Sequence, residues 1–315
     1  DRVEFIRGPG SSLYGSNAMM GGINIITHSK NEAAAEVGTD GYRHASAQWR
    51  AANDIGSVEV YGRDTRSDGE DLRIFEPFPS PDTPVYVDTR DPFRANDFFL
   101  RSTLGEFSLQ AMTLTRDAEQ YYVAGYVDNA NNAYDTRAQF YDLGWTHALS
   151  PTLELNGQLF RSRHELNVDS AMQLSPYLLL AGSLNERSLG TRWLLRQTAT
   201  SHNWLLGWEW RNPEIDNTGY VAGPPAIPNL IQSDQAPEDI RYIRGAFGQF
   251  QQTLAGGLEL TLGLRHDNYS DVGDHTSPRA GLVYTLDRND VIKTLYSEAF
   301  RAPSRIETSV ISPEY

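Results

Sequence analysis

The sequence contains no cysteine, and this absence removes several classes of function at once. A chain without thiols has no disulfide scaffold, no cysteine metal site and no thiol nucleophile. Cationic residues are scarce too, since 27 Lys and Arg stand against 41 Asp and Glu, for a formal net charge of −14. Nucleic-acid binding needs a basic face that neutralises phosphates, so we expect no nucleic-acid partner.

Long apolar runs and metal-binding motifs are missing as well. No stretch approaches the roughly 18 apolar residues that a membrane helix requires. The seven histidines show no His-Glu-x-x-His spacing. Two acidic clusters, Asp68–Asp71 and Asp271–His275, lack the spacing of an EF-hand loop and are interpreted as solvated charge. We therefore expect neither a metal site nor a cofactor.

The sequence is rich instead in strict alternation of apolar and polar residues. In "HNWLLGWEW" the apolar positions run from Trp204 to Trp210 in steps of two, and in "GLELTLGLRHD" they run from Leu258 to Leu264. Such alternation predicts strands with one apolar and one wet face. The wet face carries charges that a packed core would not tolerate unpaired. Examples are Glu154, Glu209 and Arg265.

The connections between these strands alternate between short turns and mostly long loops. The long ones are expected at roughly 65–95, 117–133, 164–184 and 212–237, with about thirteen strands of about 9–14 residues between the connections. An outer-membrane barrel sorts its connections in this way, because short turns face the periplasm and long loops face outside. Aromatic residues at strand ends are typical of an interfacial girdle. They are Trp49, Trp145, Trp208 and Trp210.

Two segments carry a resemblance to a known family. The N-terminal run "VEFIRGPGSSLYGSNAMMGGINIIT" resembles the end of the plug domain of TonB-dependent receptors, and "YSEAFRAPSRIE" is similar to a segment late in their barrel. The resemblance implies an all-β fold, a plugged transmembrane antiparallel β-barrel with 22 strands when complete. It implies that residues 1–30 are the C-terminal part of the plug and residues 31–315 the N-terminal portion of the barrel. We expect the chain to be a fragment of such a receptor.

The resemblance also implies a function, namely active import of a scarce bulky ligand across the bacterial outer membrane. A ferric siderophore is the favoured ligand, with cobalamin, haem and glycans as alternatives within the family. The expected partners are this extracellular ligand, outer-membrane lipid, and the inner-membrane protein TonB through a box that precedes the present chain. We expect no enzyme activity and no catalytic residue. A barrel protease or lipase and a passive porin are less favoured, because neither has a plug-like run.

Three groups of residues are expected to have functional roles. The first two are assigned from the resemblance, and the third from aromatic side chains in the plug turn and the predicted loops. The plug–barrel contacts are Arg7, Glu259, Glu298 and Arg301. The plug motif consists of Gly8, Pro9, Tyr14, Gly15, Gly21 and Gly22. The ligand-binding candidates are Tyr14, Tyr121, Tyr122, Tyr126 and Tyr220, whose rings could pack against a siderophore or a corrin.

Overall fold

The computed structural model confirms the all-β antiparallel fold that the alternation predicts. It describes residues 2–7, 21–26, 30–75, 86–119, 132–172, 178–224, 231–236, 239–286 and 290–304. In these ranges the regular structure is strand, apart from one 3-10 turn at Ala255–Gly257. No helix in the same ranges has the length and apolarity needed to cross a membrane.

Nineteen strands make up the described part of the chain. They are β1 (Arg2–Arg7), β2 (Gly21–Ile26), β3 (Glu32–Val37), β4 (Arg43–Ala52), β5 (Gly56–Ser67), β6 (Leu72–Phe75), β7 (Tyr86–Thr89), β8 (Phe93–Leu104), β9 (Phe107–Glu119), β10 (Ala133–Ser150), β11 (Leu153–Met172), β12 (Leu178–Thr198), β13 (His202–Gly223), β14 (Ile231–Ala236), β15 (Asp239–Ile240), β16 (Ile243–Leu254), β17 (Leu258–Tyr269), β18 (Gly273–Thr285) and β19 (Val291–Ser297).

One large sheet contains most of these strands. Its order is β3-β4-β5-β8-β9-β10-β11-β12-β13-β16-β17-β18-β19, and β14 and β15 add to β13. The pairings are antiparallel, and successive strands of the path are neighbours, as in an up-and-down barrel. The sheet is not closed by the described strands, since β3 and β19 stand at its two ends. Two separate hairpins, β1–β2 and β6–β7, complete the architecture of the described ranges.

The two faces of the large sheet have reversed burial compared with a water-soluble protein. On β17, Leu262 and Leu264 are 45% and 53% exposed, whereas Arg265 and Asp267 are only 1% and 4% exposed. Two other strands show the same pattern, since Leu206 of β13 is exposed on one face and Asp142 of β10 is buried on the other. We call these the apolar face and the polar face. A transmembrane barrel turns such faces to lipid and to its lumen, respectively.

The strands in the middle of the sheet are longer than the sequence pattern predicts. The predicted loop at 164–184 is wrong for most of its length, because β11 and β12 pair through twenty residues without a register shift. Likewise β13 runs to Gly223, well into the loop predicted at 212–237. These extensions do not alternate between apolar and polar residues as the membrane-level segments do, so their composition resembles a loop although the antiparallel ladder satisfies the backbone groups.

The short turn between β8 and β9 holds a compact polar group. Gly105 adopts a left-handed φ of 56°, and Glu106 follows it. The Glu106 carboxylate accepts hydrogen bonds from Trp145 Nε1 at 3.0 Å and from His147 Nδ1 at 2.7 Å. The hydrogen bond from His147 holds the pKa of Glu106 below its usual value, and the bond from Trp145 adds to this effect. The indole and imidazole rings stack with centroids 5.5 Å apart.

Replacing His147 with alanine is expected to raise the pKa of Glu106 toward its ordinary value. Because the pKa of Glu106 is lowered in the folded protein, the contact stabilises the fold at pH values above the unfolded-state pKa. This stabilisation is lost as the pH falls through the folded-state pKa. A ¹³C NMR titration of the Glu106 carboxyl in the folded protein, assigned with Glu106→Gln, measures the shift. An unchanged pKa in the His147→Ala variant would contradict this account, and Trp145→Phe should give a smaller rise.

Candidate functional site: a buried charge cluster on the polar face

Strand register assembles a cluster of charges on the polar face of β12, β13, β16 and β17. Glu209 of β13 lies opposite Gly245 of β16, which in turn lies opposite Asp267 of β17. In the adjacent row of the same face, Phe247 lies opposite Arg265. Side chains in neighbouring rows of one sheet face are close enough to interact diagonally. The cluster therefore depends on strands that are separated in the sequence.

Arg265 is the centre of this cluster. Its Nε donates to Asp267 Oδ2 at 2.7 Å, and its Nη2 donates to Asp267 Oδ1 at 2.6 Å. The same Nη2 also donates to Glu209 Oε1. Gly245 has no side chain between the two carboxylates, and this gap admits the guanidinium group. A forked, charge-assisted pair of this kind fixes direction as well as charge.

Phe247 is held between two guanidinium groups on the same face. Its ring centroid lies 5.0 Å from Cζ of Arg265 and 5.2 Å from Cζ of Arg192, within the range of cation–π attraction. The ring packs over Gly207, where a Cβ atom would overlap it, so this glycine leaves the space that the ring fills. Arg192 closes the cluster through Glu209, with Nε and Oε2 3.7 Å apart. Guanidinium groups and carboxylates thus surround one aromatic ring.

Several buried donors on the polar face are not used by the described residues. Nη1 of Arg265 and Nε of both Arg211 and Arg279 have no hydrogen-bond partner within the described ranges. Buried donors without an acceptor are costly, so a protein normally supplies one. These nitrogens can donate to oxygen atoms of another segment of the protein or of a ligand. Among the described residues no group of three or more His, Asp or Glu could hold a metal ion.

The segment after β19 returns across the polar face at the far end of β16 and β17. Ala302 packs with Ile243 and Tyr269, and Phe300 packs beside them. Arg241 anchors the segment, because its Nη1 donates to the Pro303 carbonyl at 2.8 Å. Its other nitrogens bind the carboxylate of Asp271, with Nε 2.9 Å from Oδ2. The segment with the sequence "FRAP" therefore packs against the polar face of the sheet.

The residues predicted as plug–barrel contacts lie in different parts of the fold. The backbone of Arg7 pairs with that of Gly21, and the backbone of Ile6 with that of Gly22, in the β1–β2 hairpin. The side chain of Arg7 is not among the described parts of the structure. Glu259 is exposed at the start of β17, on the polar face opposite Thr253. Glu298 is exposed and accepts a hydrogen bond from the Tyr296 hydroxyl, and Arg301 is exposed three residues further on.

The remaining predicted residues fall mostly outside the described part of the chain. Only the backbone of Tyr220 is described, within β13. The others outside the described ranges are Gly8, Pro9, Tyr14, Gly15, Tyr121, Tyr122 and Tyr126. Their assigned roles stay predictions.

Sequence reasoning placed Glu209 and Arg265 on the wet face but did not connect them. It did not single out Arg192, Phe247 or Gly245. The alternation in each strand was visible, but the register between β13, β16 and β17 was not. A glycine at a wet-face position, flanked by strands that carry carboxylates there and an arginine two residues away, is the signal that could have led to the cluster.

Comparison with known proteins identifies the family to which this fold belongs. A family model described as "TonB dependent receptor-like, beta-barrel" matches residues 35–312. The chain belongs to the TonB-dependent receptor family. Proteins of this family cross the outer membrane with β-strands, so the polar face described above lines the barrel lumen.

Curated relatives of this chain are named for different ligands. The vitamin B12 transporter BtuB of Vibrio vulnificus (strain CMCP6) is 23% identical over 319 residues, which cover 96% of this chain and 48% of the relative. The ferric enterobactin receptor of Pseudomonas aeruginosa is 24% identical over 365 residues, covering 100% of this chain and 48% of the relative. The chain thus spans about half the length of the curated relatives it matches.

Solved structures share the fold. A crystal structure of a mutant ferric enterobactin receptor of Pseudomonas aeruginosa superposes with a TM-score of 0.70 at 17% identity, covering 96% of this chain and 49% of the other. The copper transporter OprC gives a TM-score of 0.67 at 17% identity, covering 95% of this chain and 50% of the other. At this identity the superpositions establish the architecture of the receptor chain.

Proposed function

We propose that this receptor chain takes part in TonB-dependent active import of a scarce bulky ligand across the outer membrane, with a ferric siderophore as the favoured ligand. Family membership supports the import, since relatives include proteins named as a ferric enterobactin receptor and a vitamin B12 transporter. Cobalamin is the second candidate on the same ground, and haem and glycans remain alternatives. The proposal assigns no bond-making or bond-breaking step, and hence no catalytic residue.

The observation that favours a siderophore is the set of buried arginine donors on the lumen-facing side. Nitrogen atoms of Arg211, Arg265 and Arg279 lack acceptors in the described part of the chain. Siderophores hold iron through oxygen atoms that carry negative charge, and guanidinium groups bind such oxygens with forked, charge-assisted hydrogen bonds. The tyrosines named above, Tyr14, Tyr121, Tyr122, Tyr126 and Tyr220, would add aromatic contacts.

We assign residues 1–30 to the end of a plug and residues 31–315 to the wall around it. The β1–β2 hairpin supports this assignment, because a cavity of about 730 Å³ is lined both by its Arg2 and Ile25 and by the wall residues Glu59 and Phe99. Glu59 is buried on the wall and accepts a hydrogen bond from Gln48 at 3.0 Å. Charged groups of the wall thus face the hairpin.

Within this arrangement Arg7 is the proposed plug-side partner of the wall carboxylate Glu259. A pair at such an interface must separate when the plug moves, and TonB would supply the pull from the periplasm. Glu298 and Arg301 are the secondary candidates. Tyr296 holds the Glu298 carboxylate near the apolar face. Glu259, on the polar face, therefore has the more suitable position.

Uptake by the full-length receptor tests the proposal. We expect cells that produce it, and that lack their own siderophore receptors, to accumulate ⁵⁵Fe from ferric siderophores only when TonB is present. Its amount in the outer membrane should rise when iron is chelated. The variant Glu259→Gln should accumulate less iron at unchanged ligand binding, because it alters plug movement and not the outer binding surface.

The controls test two questions separately, namely which ligand is imported and whether its import is active. Radiolabelled cobalamin is offered in parallel. Accumulation of cobalamin but not of iron would show that cobalamin, and not a siderophore, is the ligand. Accumulation that is equal with and without TonB would contradict active import. The variant Arg73→Ala, an exposed residue of the β6–β7 hairpin, serves as a matched surface control and should behave as wild type.

A further inference from the structure

The apolar face of the longest strands ends in a row of arginines. On β11 the outward positions up to Leu159 are apolar or small, and the next two are Arg161 and Arg163. On β12 the exposed Leu189 is followed in the same direction by Arg187. Leu159 and Leu189 are 50% and 42% exposed, so both belong to the lipid-facing band. We call Arg161, Arg163 and Arg187 the outer arginine row.

The row lies at the level where the hydrocarbon layer ends. Arg161 is eight residues beyond Leu153, the start of β11 after the short turn at Ser150. With about 3.3 Å per residue and a tilt of about 40°, Arg161 lies about 20 Å and Arg163, two residues further on, about 25 Å along the membrane normal, against an apolar band about 25 Å tall. Short turns face the periplasm, so the row faces the outer leaflet. Arginine stems can extend along the apolar surface while their heads reach the interface.

Like charges are brought together in the row. Arg163 and Arg187 lie directly opposite each other on adjacent strands, an arrangement that is unfavourable for two cations. A close carboxylate contacts each of them, Glu165 at 2.5 Å from Arg163 and Glu214 at 2.5 Å from Arg187. Arg161 is exposed and forms no ion pair with any residue in the described ranges.

These features suit the binding of an anion at the edge of the lipid. A guanidinium group has five N–H donors, so a carboxylate on one side does not exhaust its capacity. An anion between Arg163 and Arg187 would convert repulsion into two charge-assisted contacts, and Arg161 would supply a third. The glutamates hold the two guanidinium groups in place from the side.

We propose that the outer arginine row binds the phosphate groups of a phosphorylated lipid in the outer leaflet. Arginine matches the geometry of phosphate oxygens, and basic residues next to a membrane-embedded surface recognise anionic headgroups. A lipid is the partner rather than free phosphate, because the row continues directly from the lipid-facing Leu159 and Leu189. The acyl chains would lie on those leucines while the headgroup lies on the arginines.

Native mass spectrometry of the full-length receptor in detergent tests the assignment, with bis-phosphorylated lipid A as the probe. Wild type should retain this lipid in preference to the same lipid after removal of its phosphates. The double variant Arg161→Ala/Arg163→Ala should retain it about tenfold less. The pair Arg161→Lys/Arg163→Lys should show an intermediate loss, because charge is kept and forked contacts are not.

Each outcome supports or overturns the proposal. Arg73→Ala, which removes an exposed arginine from the separate β6–β7 hairpin, should bind as wild type. Equal retention by wild type and the double alanine variant would overturn the assignment, as would equal retention of the lipid without phosphates. If millimolar inorganic phosphate competes with the lipid, the row binds a free anion and the assignment of a lipid is overturned. Siderophore binding, measured on the same samples, should be unchanged, so this result is independent of the proposed import.

Discussion

Replacing Arg265 with alanine is expected to lower the free energy of unfolding by about 3–5 kcal/mol, because it leaves Asp267 and Glu209 buried without their shared cation. Arg265 is almost fully buried, so water cannot compensate for its loss. The Phe247 ring would also lose one of its two flanking guanidinium groups. Denaturant unfolding of the full-length receptor in detergent micelles, followed by tryptophan fluorescence, measures the change.

The control is Arg196→Ala, which removes an exposed arginine from β12 on the same face. We expect its effect to stay below about 1 kcal/mol, as for exposed charges in general. Arg265→Lys should fall between the two, since one ammonium group cannot make the forked contacts. If Arg265→Ala unfolds at the same denaturant concentration as Arg196→Ala, the cluster does not stabilise the wall.

Gly245→Ala is expected to lower the free energy of unfolding by about 1–3 kcal/mol through overpacking. A Cβ atom at this position would lie 2.5 Å from Nη2 of Arg265 and 2.8 Å from Oδ1 of Asp267. Both neighbours are fixed by the contacts that they make with each other, so neither can move without breaking them. The same unfolding measurement reports the loss.

A matched glycine makes this test specific. Gly62 of β5 has no atom within 4 Å of the position that a Cβ would take, so Gly62→Ala should leave stability unchanged or raise it slightly. In the Arg265→Ala background, Gly245→Ala should cost less than it does alone, because the clashing group is gone. Strictly additive effects of the two substitutions would show that Gly245 does not serve the arginine.

The sequence predicted the strands and their faces far better than it predicted the site. Alternation is a local property, so it identified the lipid-facing leucines of β17 and put Arg265 and Glu209 on the opposite face. Contact between those two residues depends on the pairing of β13 with β16 and of β16 with β17. Register of this kind is determined by the whole sheet and its turns, and no single segment contains it.

Strand ends were predicted poorly for a related physical reason. Above the lipid layer a strand has water on both sides, so its side chains need not alternate in polarity. The residues of β11 beyond Glu165 therefore resemble a loop in composition, although they continue the ladder with β12 to Met172. The N-terminal glycine-rich motif was predicted from resemblance alone. Only its flanking strands, β1 and β2, belong to the described residues.

The length of the central strands has a consequence for how the receptor meets its surroundings. The 22 residues of β13, at about 3.3 Å each and a tilt of about 40°, rise to about 55 Å, roughly twice the height of the apolar band. The outer parts of β10 to β13 thus extend beyond the apolar band as a continuous antiparallel ladder. A molecule that approaches from outside at this height would meet side chains held in fixed rows, with the same two-residue spacing that organises the strands within the membrane.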